Sequence, residues 1–298
     1  MKILLVGTNG QVGWELQRTL MTLGEVIAVG RNSSNGLHID LAEPETIRSV
    51  IRQVQPELIV NAAAYTAVDK AESEPDLAMV INGDAPGLMA KEAHRLGAAI
   101  VHYSTDYVFD GTKSTPYIEQ DQPDPQNIYG KTKLAGEQAI QAEGVPHLIL
   151  RTCWVYGARG KNFLLTMQRL GREREELRVV DDQIGAPTDS RTIAEATAQI
   201  LAQAQNTSFL ADKSGIYHLS ATGQTSWYGF AQAIFEREQP SHSLRLQRLI
   251  AISTQEYPTP AKRPAYSLLS TDKLSTTFGL SLPNWHRALD LVLDQVNC

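Results

Sequence analysis

Along the first half of the chain, short uninterrupted apolar runs alternate with longer stretches whose apolar positions recur every three or four residues. Lys2-Ile-Leu-Leu-Val6 reads as a buried strand, the segment from Gln11 to about Leu23 as an amphipathic helix, and Val26-Ile-Ala-Val29 as a second strand. The alternation continues with a helix from about Glu43 to Val54, a strand Leu58–Val60 and a long helix from Pro75 to Leu96. Strands Ala99–Tyr103 and His147–Leu150 follow, with a further helix between them that carries Tyr129. Repeated strand–helix–strand units predict an α/β fold built on a Rossmann-type, doubly wound parallel sheet. Asp110 to Asn127, with Pro116, Pro123 and Pro125, reads as a loop leading into the Tyr129 helix. From Tyr156 onward the pattern loosens. Residues 1–155 are therefore expected to form the sheet domain, with later segments returning to it, and residues 156–298 mainly a smaller α/β lobe. That lobe is expected to hold helices from Ser226 to Glu238 and from Asn284 to about Gln295, and an extended loop Tyr257–Pro264.

Composition narrows the partners. A chain of 298 residues that is 42% hydrophobic and 20% charged has room for one large core or two lobes. The formal charge of −6 offers no basic surface to a phosphate backbone, so no nucleic-acid partner is expected. Cys153 and Cys298 lie too far apart in sequence to suggest a disulfide framework or metal-ligand spacing, which suits a reducing cytoplasm. The first apolar run is too short for a signal-peptide core and no later run approaches a membrane span, so neither export nor anchoring is expected.

Candidate chemistry begins directly after the first strand. In Gly7-Thr-Asn9-Gly10-Gln11-Val12-Gly13 the glycines permit a tight turn and close approach of a pyrophosphate to a helix N-terminus, where its charge is favoured. The second strand ends in Gly30-Arg31 rather than in a carboxylate suited to ribose hydroxyls. Arg31 could instead clamp a 2′-phosphate, so NADPH is expected ahead of NADH. Asp40 and Leu41 are placed beside the adenine, and the small residues Ala62, Ala63 and Ala64 leave room for the rest of the dinucleotide.

A second constellation supplies a proton. Of ten tyrosines only Tyr129 has a lysine, Lys133, four residues later. On a helix the two share a face, and the ammonium would favour the ionised phenol, drawing its pKa down toward neutrality beside an oxidised nicotinamide. Thr105, just beyond the strand Ala99–Tyr103, is positioned to share a substrate carbonyl with Tyr129 at the carboxyl end of the sheet.

These motifs resemble those of the extended short-chain dehydrogenases and, within them, the dTDP-4-dehydrorhamnose reductases. The resemblance spans nearly the whole chain. Beyond the glycine turn and the Tyr-Lys pair it rests on Val60–Ala64, Ala67–Glu72, Tyr103-Ser-Thr-Asp-Tyr-Val-Phe109, Arg151-Thr-Cys-Trp-Val-Tyr156, Gly185-Ala-Pro-Thr188 and Tyr257–Pro264. It implies hydride transfer to the C4 ketone of a nucleotide-linked 4-keto-6-deoxy sugar. Tyr129 would be the acid, Thr105 a hydrogen-bond donor, and Lys133 the residue that holds the nicotinamide ribose. It places Val68, Asp106, Tyr107 and Trp154 against the sugar. Arg263 would face the diphosphate of the substrate. Some members bridge two subunits through magnesium on carboxylates, one of them at the position of Glu15. Here Arg191 stands where such members carry an acid, which argues against Mg2+ and for a monomer or a weak, metal-independent dimer.

Two other readings share these features. A nucleotide-sugar epimerase or dehydratase has the same fold and Tyr-Lys pair, but a dehydratase typically places a Glu where this chain has Tyr107. A regulatory subunit resembling that of methionine adenosyltransferase would keep the dinucleotide fold without turnover, and the retained Thr105, Tyr129 and Lys133 argue against it.

Overall fold

The five predicted strands lie side by side in one parallel sheet: β1 (Lys2–Val6), β2 (Glu25–Val29), β3 (Leu58–Asn61), β4 (Ala99–Thr105) and β5 (His147–Thr152). The computed structural model describes residues 1–32, 36–204, 207–238 and 244–296, so Cys298 lies outside the described residues. A sixth strand, Gly215–His218, joins beside β5, and the order across the sheet is β2-β1-β3-β4-β5 and then this strand. From β1 the chain winds to one side and then, at β3, to the other. The order therefore reverses between β1 and β3, and their carboxyl ends splay into a crevice.

Helices cover both faces of the sheet. On one side α1 (Gln11–Leu20) packs with α8 (Ser190–Ala202), joining Leu16, Leu20, Ile193 and Ile200 to Ile3, Leu5, Leu58 and Val60 of the strands. On the other, α2 (Pro44–Val54) and α5 (Ala85–Leu96) enclose Leu4, Val6, Ile59 and Ile100 with Ile47, Ile51, Met89 and Ala93. β1, β3, β4 and β5 are buried on both faces, which is why they read as continuous apolar runs, while the edge strand β2 is only partly covered. A separate core built from Tyr156, Leu164, Phe230, Ile234, Trp285 and Leu289 underlies the remaining residues. It includes α7 (Phe163–Glu173) and two later helices, Trp227–Glu238 and Trp285–Val296, close to the predicted spans.

The helix expected from Pro75 to Leu96 is interrupted. After α4 (Pro75–Met79) comes a single π turn, Val80–Asp84, before α5 starts. Pro86 has no N–H, and in a regular helix its ring would press on the carbonyl of Asn82; the wider turn relieves both problems. The freed Asn82 carbonyl is approached closely by α6 (Ile128–Ala142) at Gly136, where a Cβ would come within 2.1 Å of that oxygen. The π turn thus shapes the bed on which the Tyr129 helix lies. A short helix, α3 (Val68–Ala71), precedes it at the mouth of the crevice.

Candidate active site

The three glycines of the turn answer different needs. Gly7 has φ +93°, and a Cβ there would meet the Ala62–Ala63 backbone at 2.5–2.8 Å. Gly13 lies so close under the turn that a Cβ would come within 2.1 Å of Gly7 O. Gly10, in contrast, meets nothing nearer than 3.4 Å, so the protein itself leaves room for a side chain there and only an incoming group would need the space. The N-terminus of α1 has no side-chain cap, leaving its amides available to an anion. Asn9 and Gly10 are exposed, Gln11 and Val12 partly so, with Gln11 accepting a 2.8 Å hydrogen bond from Asn162.

Around this turn the other predicted cofactor residues divide. Arg31 is exposed just past Gly30, which lies beside Thr8 of the turn; among the described residues no carboxylate forms an ion pair with it. Ala62, Ala63 and Ala64 line the exit of β3 and remain partly exposed. Leu41 is instead 7% exposed within the core, and the Asp40 carboxylate accepts from Ala42 N at 3.0 Å in the turn that opens α2.

Thr105 ends β4 and is buried; its hydroxyl donates to Asp106 Oδ1 at 3.0 Å and accepts from Tyr107 N at 3.2 Å. Tyr129 enters from the first turn of α6, which Asn127 caps by accepting from Gly130 N at 2.8 Å. Gly130 permits the approach, since a Cβ there would lie 2.2 Å from Tyr107 O. The result is an edge-to-face contact of Tyr129 with Tyr107, centroids 5.5 Å apart, with the Tyr129 phenol drawn in beside the Thr105 hydroxyl.

Electrostatics depart from the sequence expectation here. Burial pushes the Tyr129 phenol up to about 12, opposed by the Thr105 hydrogen bond and reinforced by the Asp106 charge. Lys133 Nζ is directed elsewhere, donating to Tyr103 O at 2.6 Å and lying 3.0 Å from His102 Nε2. Enclosed by packed atoms, it is shifted down to about 8, with Glu137 favouring the charged form. Burial also raises the Asp106 carboxyl to about 6 despite hydrogen bonds from Ser267 and Thr105.

On the facing wall, Val68, Tyr107, Trp154 and Arg263 are all partly exposed. Trp154 has φ +46°, rare for a bulky residue; one face of its indole stacks on Trp227 at 3.6 Å, and its edge lies against Gly185. Arg263 is held by Asp69 of α3 through two hydrogen bonds of 3.0 and 2.8 Å. Glu15 is 3.8 Å from Arg18, which is also 3.6 Å from Glu195, while Glu195 pairs with Arg191 at 3.0 Å. Among the described residues no cluster of three or more His, Cys, Asp or Glu could hold a metal ion, and no helix is long and apolar enough to cross a membrane.

Several contributors escaped the sequence reading: Asn61, His102, Asp69, Asn127, Trp227 and the pair Glu137–Arg151. Asn61 and His102 sit inside apolar strand runs, where one polar residue looks incidental. The Asn127 cap, three residues before Gly130, was the one local signal available.

A parallel sheet with its switch point at a glycine turn, and a Thr and a helical Tyr-Lys pair at the ends of its strands, defines an extended short-chain dehydrogenase/reductase. The sequence model described as RmlD substrate binding domain matches residues 1–298. The chain is 51% identical over 295 residues to dTDP-4-dehydrorhamnose reductase of Burkholderia thailandensis, covering 98% of this chain and 97% of the relative. It therefore belongs to the RmlD family of dTDP-4-dehydrorhamnose reductases. Among solved structures, the Clostridium acetobutylicum dTDP-4-dehydrorhamnose reductase superposes with a TM-score of 0.90 at 37% identity, covering 100% of both chains. The Bacillus anthracis enzyme, solved in complex with NADP, does so with 0.88 at 35% identity, covering 99% of this chain and 100% of that one.

Proposed function

We propose that this protein reduces the C4 ketone of dTDP-4-dehydro-β-L-rhamnose to the alcohol of dTDP-β-L-rhamnose, using NADPH. The observation that carries this reading is the convergence of Thr105 and Tyr129 at the carboxyl edge of the sheet that also carries the glycine turn. When bound, NADPH supplies the hydride that reduces C4. Thr105 turns its hydroxyl proton from Asp106 Oδ1 to the C4 oxygen as negative charge builds on it, and Tyr129 gives that oxygen its proton. A phenol pushed up to about 12 is protonated at neutral pH, the state that reduction requires, and an alkoxide is basic enough to take its proton. Lys133 holds the nicotinamide ribose. The uncapped amides of α1 with Gly7, Asn9, Gly10, Gln11, Val12 and Gly13 receive the pyrophosphate, and Arg31 receives the 2′-phosphate.

Val68, Asp106, Tyr107 and the open face of Trp154 enclose the sugar, while Arg263 meets the diphosphate and shares its charge with Asp69. A monomer, or a dimer that needs no metal, in the cytoplasm completes this reading. NADPH oxidation on mixing purified protein with the 4-keto sugar nucleotide tests it. Turnover without added cofactor would indicate an epimerase instead, and dinucleotide binding without oxidation a regulatory protein. Arg31→Asp is expected to shift preference toward NADH; identical selectivity would remove Arg31 from 2′-phosphate recognition.

A further inference from the structure

Beneath the crevice lies a buried chain of hydrogen bonds: Ala63 N donates to Asn61 Oδ1 at 3.1 Å, Asn61 Nδ2 lies 3.1 Å from His102 Nδ1, and His102 Nε2 lies 3.0 Å from Lys133 Nζ. Asn61, His102 and Lys133 are each at most 1% exposed, so water cannot correct a mismatch between donors and acceptors. The chain can therefore be counted from one end. The Ala63 amide has only a proton to offer, which fixes Asn61 Oδ1 as the acceptor and turns the Asn61 NH2 toward His102. Nδ1 of His102 must then accept, and an imidazole that accepts at Nδ1 carries its proton on Nε2. That N–H faces Lys133 Nζ, and an ammonium, which has three protons and no lone pair, would meet it donor to donor. A neutral amine accepts from Nε2 and still donates to Tyr103 O, satisfying every member.

We propose that Asn61 and His102 favour the neutral amine of Lys133 in the cofactor-free protein, so that in mildly alkaline solution Lys133 takes up a proton when the dinucleotide binds. The second part rests on the reading of the crevice as an NADPH site. Ribose hydroxyl oxygens give the Lys133 group acceptors that His102 does not, and the phosphates favour a cation. The reaction is the addition of one solvent proton to the amine, with no other bond made or broken. Asn61 and His102 are positioning residues in this scheme, since they act only through Lys133.

The remaining ionisable groups on the elements around Lys133 do not supply an alternative switch. Glu137, one turn along α6, favours the ammonium, but both its oxygens are engaged by Arg151 of β5, at 2.9 and 2.6 Å. Tyr129 on the same helix, and Asp106 and Tyr107 after β4, are coupled to one another rather than to Lys133. Tyr103 contributes its carbonyl, its phenol being bonded to Thr197, and Asp84 of the π turn is exposed. Burial holds His102 well below the usual imidazole range, in keeping with a neutral ring.

Calorimetric titration of NADPH into the full-length protein, in pairs of buffers with different ionisation enthalpies, reads the proton directly. Above pH 7.5 the 2′-phosphate of the cofactor has already lost its second proton, which leaves near pH 6, and does not contribute. With Lys133 near 8 in the free protein, uptake is expected to be slight at pH 7 and to rise to between about half a proton and one per site at pH 8.5. Because binding raises the Lys133 pKa, affinity should be steady below pH 8 and weaken above it, by up to about tenfold per pH unit. Asn61→Asp reverses the donor order: the carboxylate accepts from Ala63 N and from a proton on His102 Nδ1, so Nε2 accepts from an ammonium already present. Asn61→Asp should bind NADPH with little proton uptake and an affinity flat from pH 7.5 to 9.5, and Lys133→Met with none. Binding to the native protein without uptake, or unchanged uptake in folded Asn61→Asp, would overturn the inference. Failure of the native protein to bind NADPH at all would instead overturn the cofactor assignment.

Discussion

Residue by residue, the proposed site separates groups that would do chemistry from groups that set the charge of their neighbours. On this reading Tyr129 belongs to the first kind. Tyr129→Phe keeps the ring against Tyr107 but removes the proton, so kcat should fall by about 10²–10⁴-fold with NADPH affinity nearly unchanged, as steady-state kinetics and a binding titration would show. Asp106 belongs to the second. Its carboxyl is raised to about 6 from an ordinary 3.8, so its charged form is disfavoured by folding. A raised folded-state pKa stabilises fully below the unfolded value and is lost as pH climbs through the folded one. The native chain should therefore lose about 2 kcal/mol between pH 4 and pH 7 that Asp106→Asn does not lose. Urea unfolding of both proteins at the two pH values would show the gap, and parallel pH dependences would refute it. Both residues were legible as motif members, Tyr129 in the Tyr-Lys pair and Asp106 in Ser-Thr-Asp-Tyr-Val-Phe. Their pKa values were not, because burial rather than helical spacing sets them: the expected drop of the Tyr129 phenol toward neutrality gave way to a rise when Lys133 turned to His102.

Elements position these residues through contacts that polar–apolar patterning cannot show. The Tyr129 helix is seated by Gly130 on the turn after β4, by Gly136 on the π turn, and by the buried pair of Glu137 with Arg151 of β5. Replacing one member of a buried ion pair strands the other in a medium that solvates it poorly. Glu137→Ala should cost about 3–5 kcal/mol, read as a lower denaturation midpoint, whereas a loss below 1 kcal/mol would show the pair to be dispensable. Strands and helices were legible because apolar runs and three-to-four spacing report burial directly. The break in the helix after Met79 was not, since Pro86 lies seven residues past the point where the α geometry ends and only packing against α6 shows what the wider turn accommodates.

At the scale of the molecule, the crevice is bordered by residues from both halves of the sequence. Asp69 reaches Arg263, and Asn127 Nδ2 donates to Lys262 O at 2.7 Å, so the loop Tyr257–Pro264 is tied to the sheet side of the site. Arg263→Ala should raise KM for the sugar nucleotide about tenfold or more while leaving NADPH affinity alone. Its effect on stability should stay within about 1 kcal/mol, because the Asp69 partner is 42% exposed; a large drop in melting temperature with an unchanged KM would make the pair structural instead. The sequence by itself determined the alternating fold, the glycine turn and the Thr105, Tyr129 and Lys133 set, because each is written in local spacing that backbone geometry translates directly. Tertiary structure alone decided what those groups are as acids and bases. It brought Asn61, His102 and Lys133, from three separate elements, into a space without water, where one backbone amide dictates the direction of every hydrogen bond that follows.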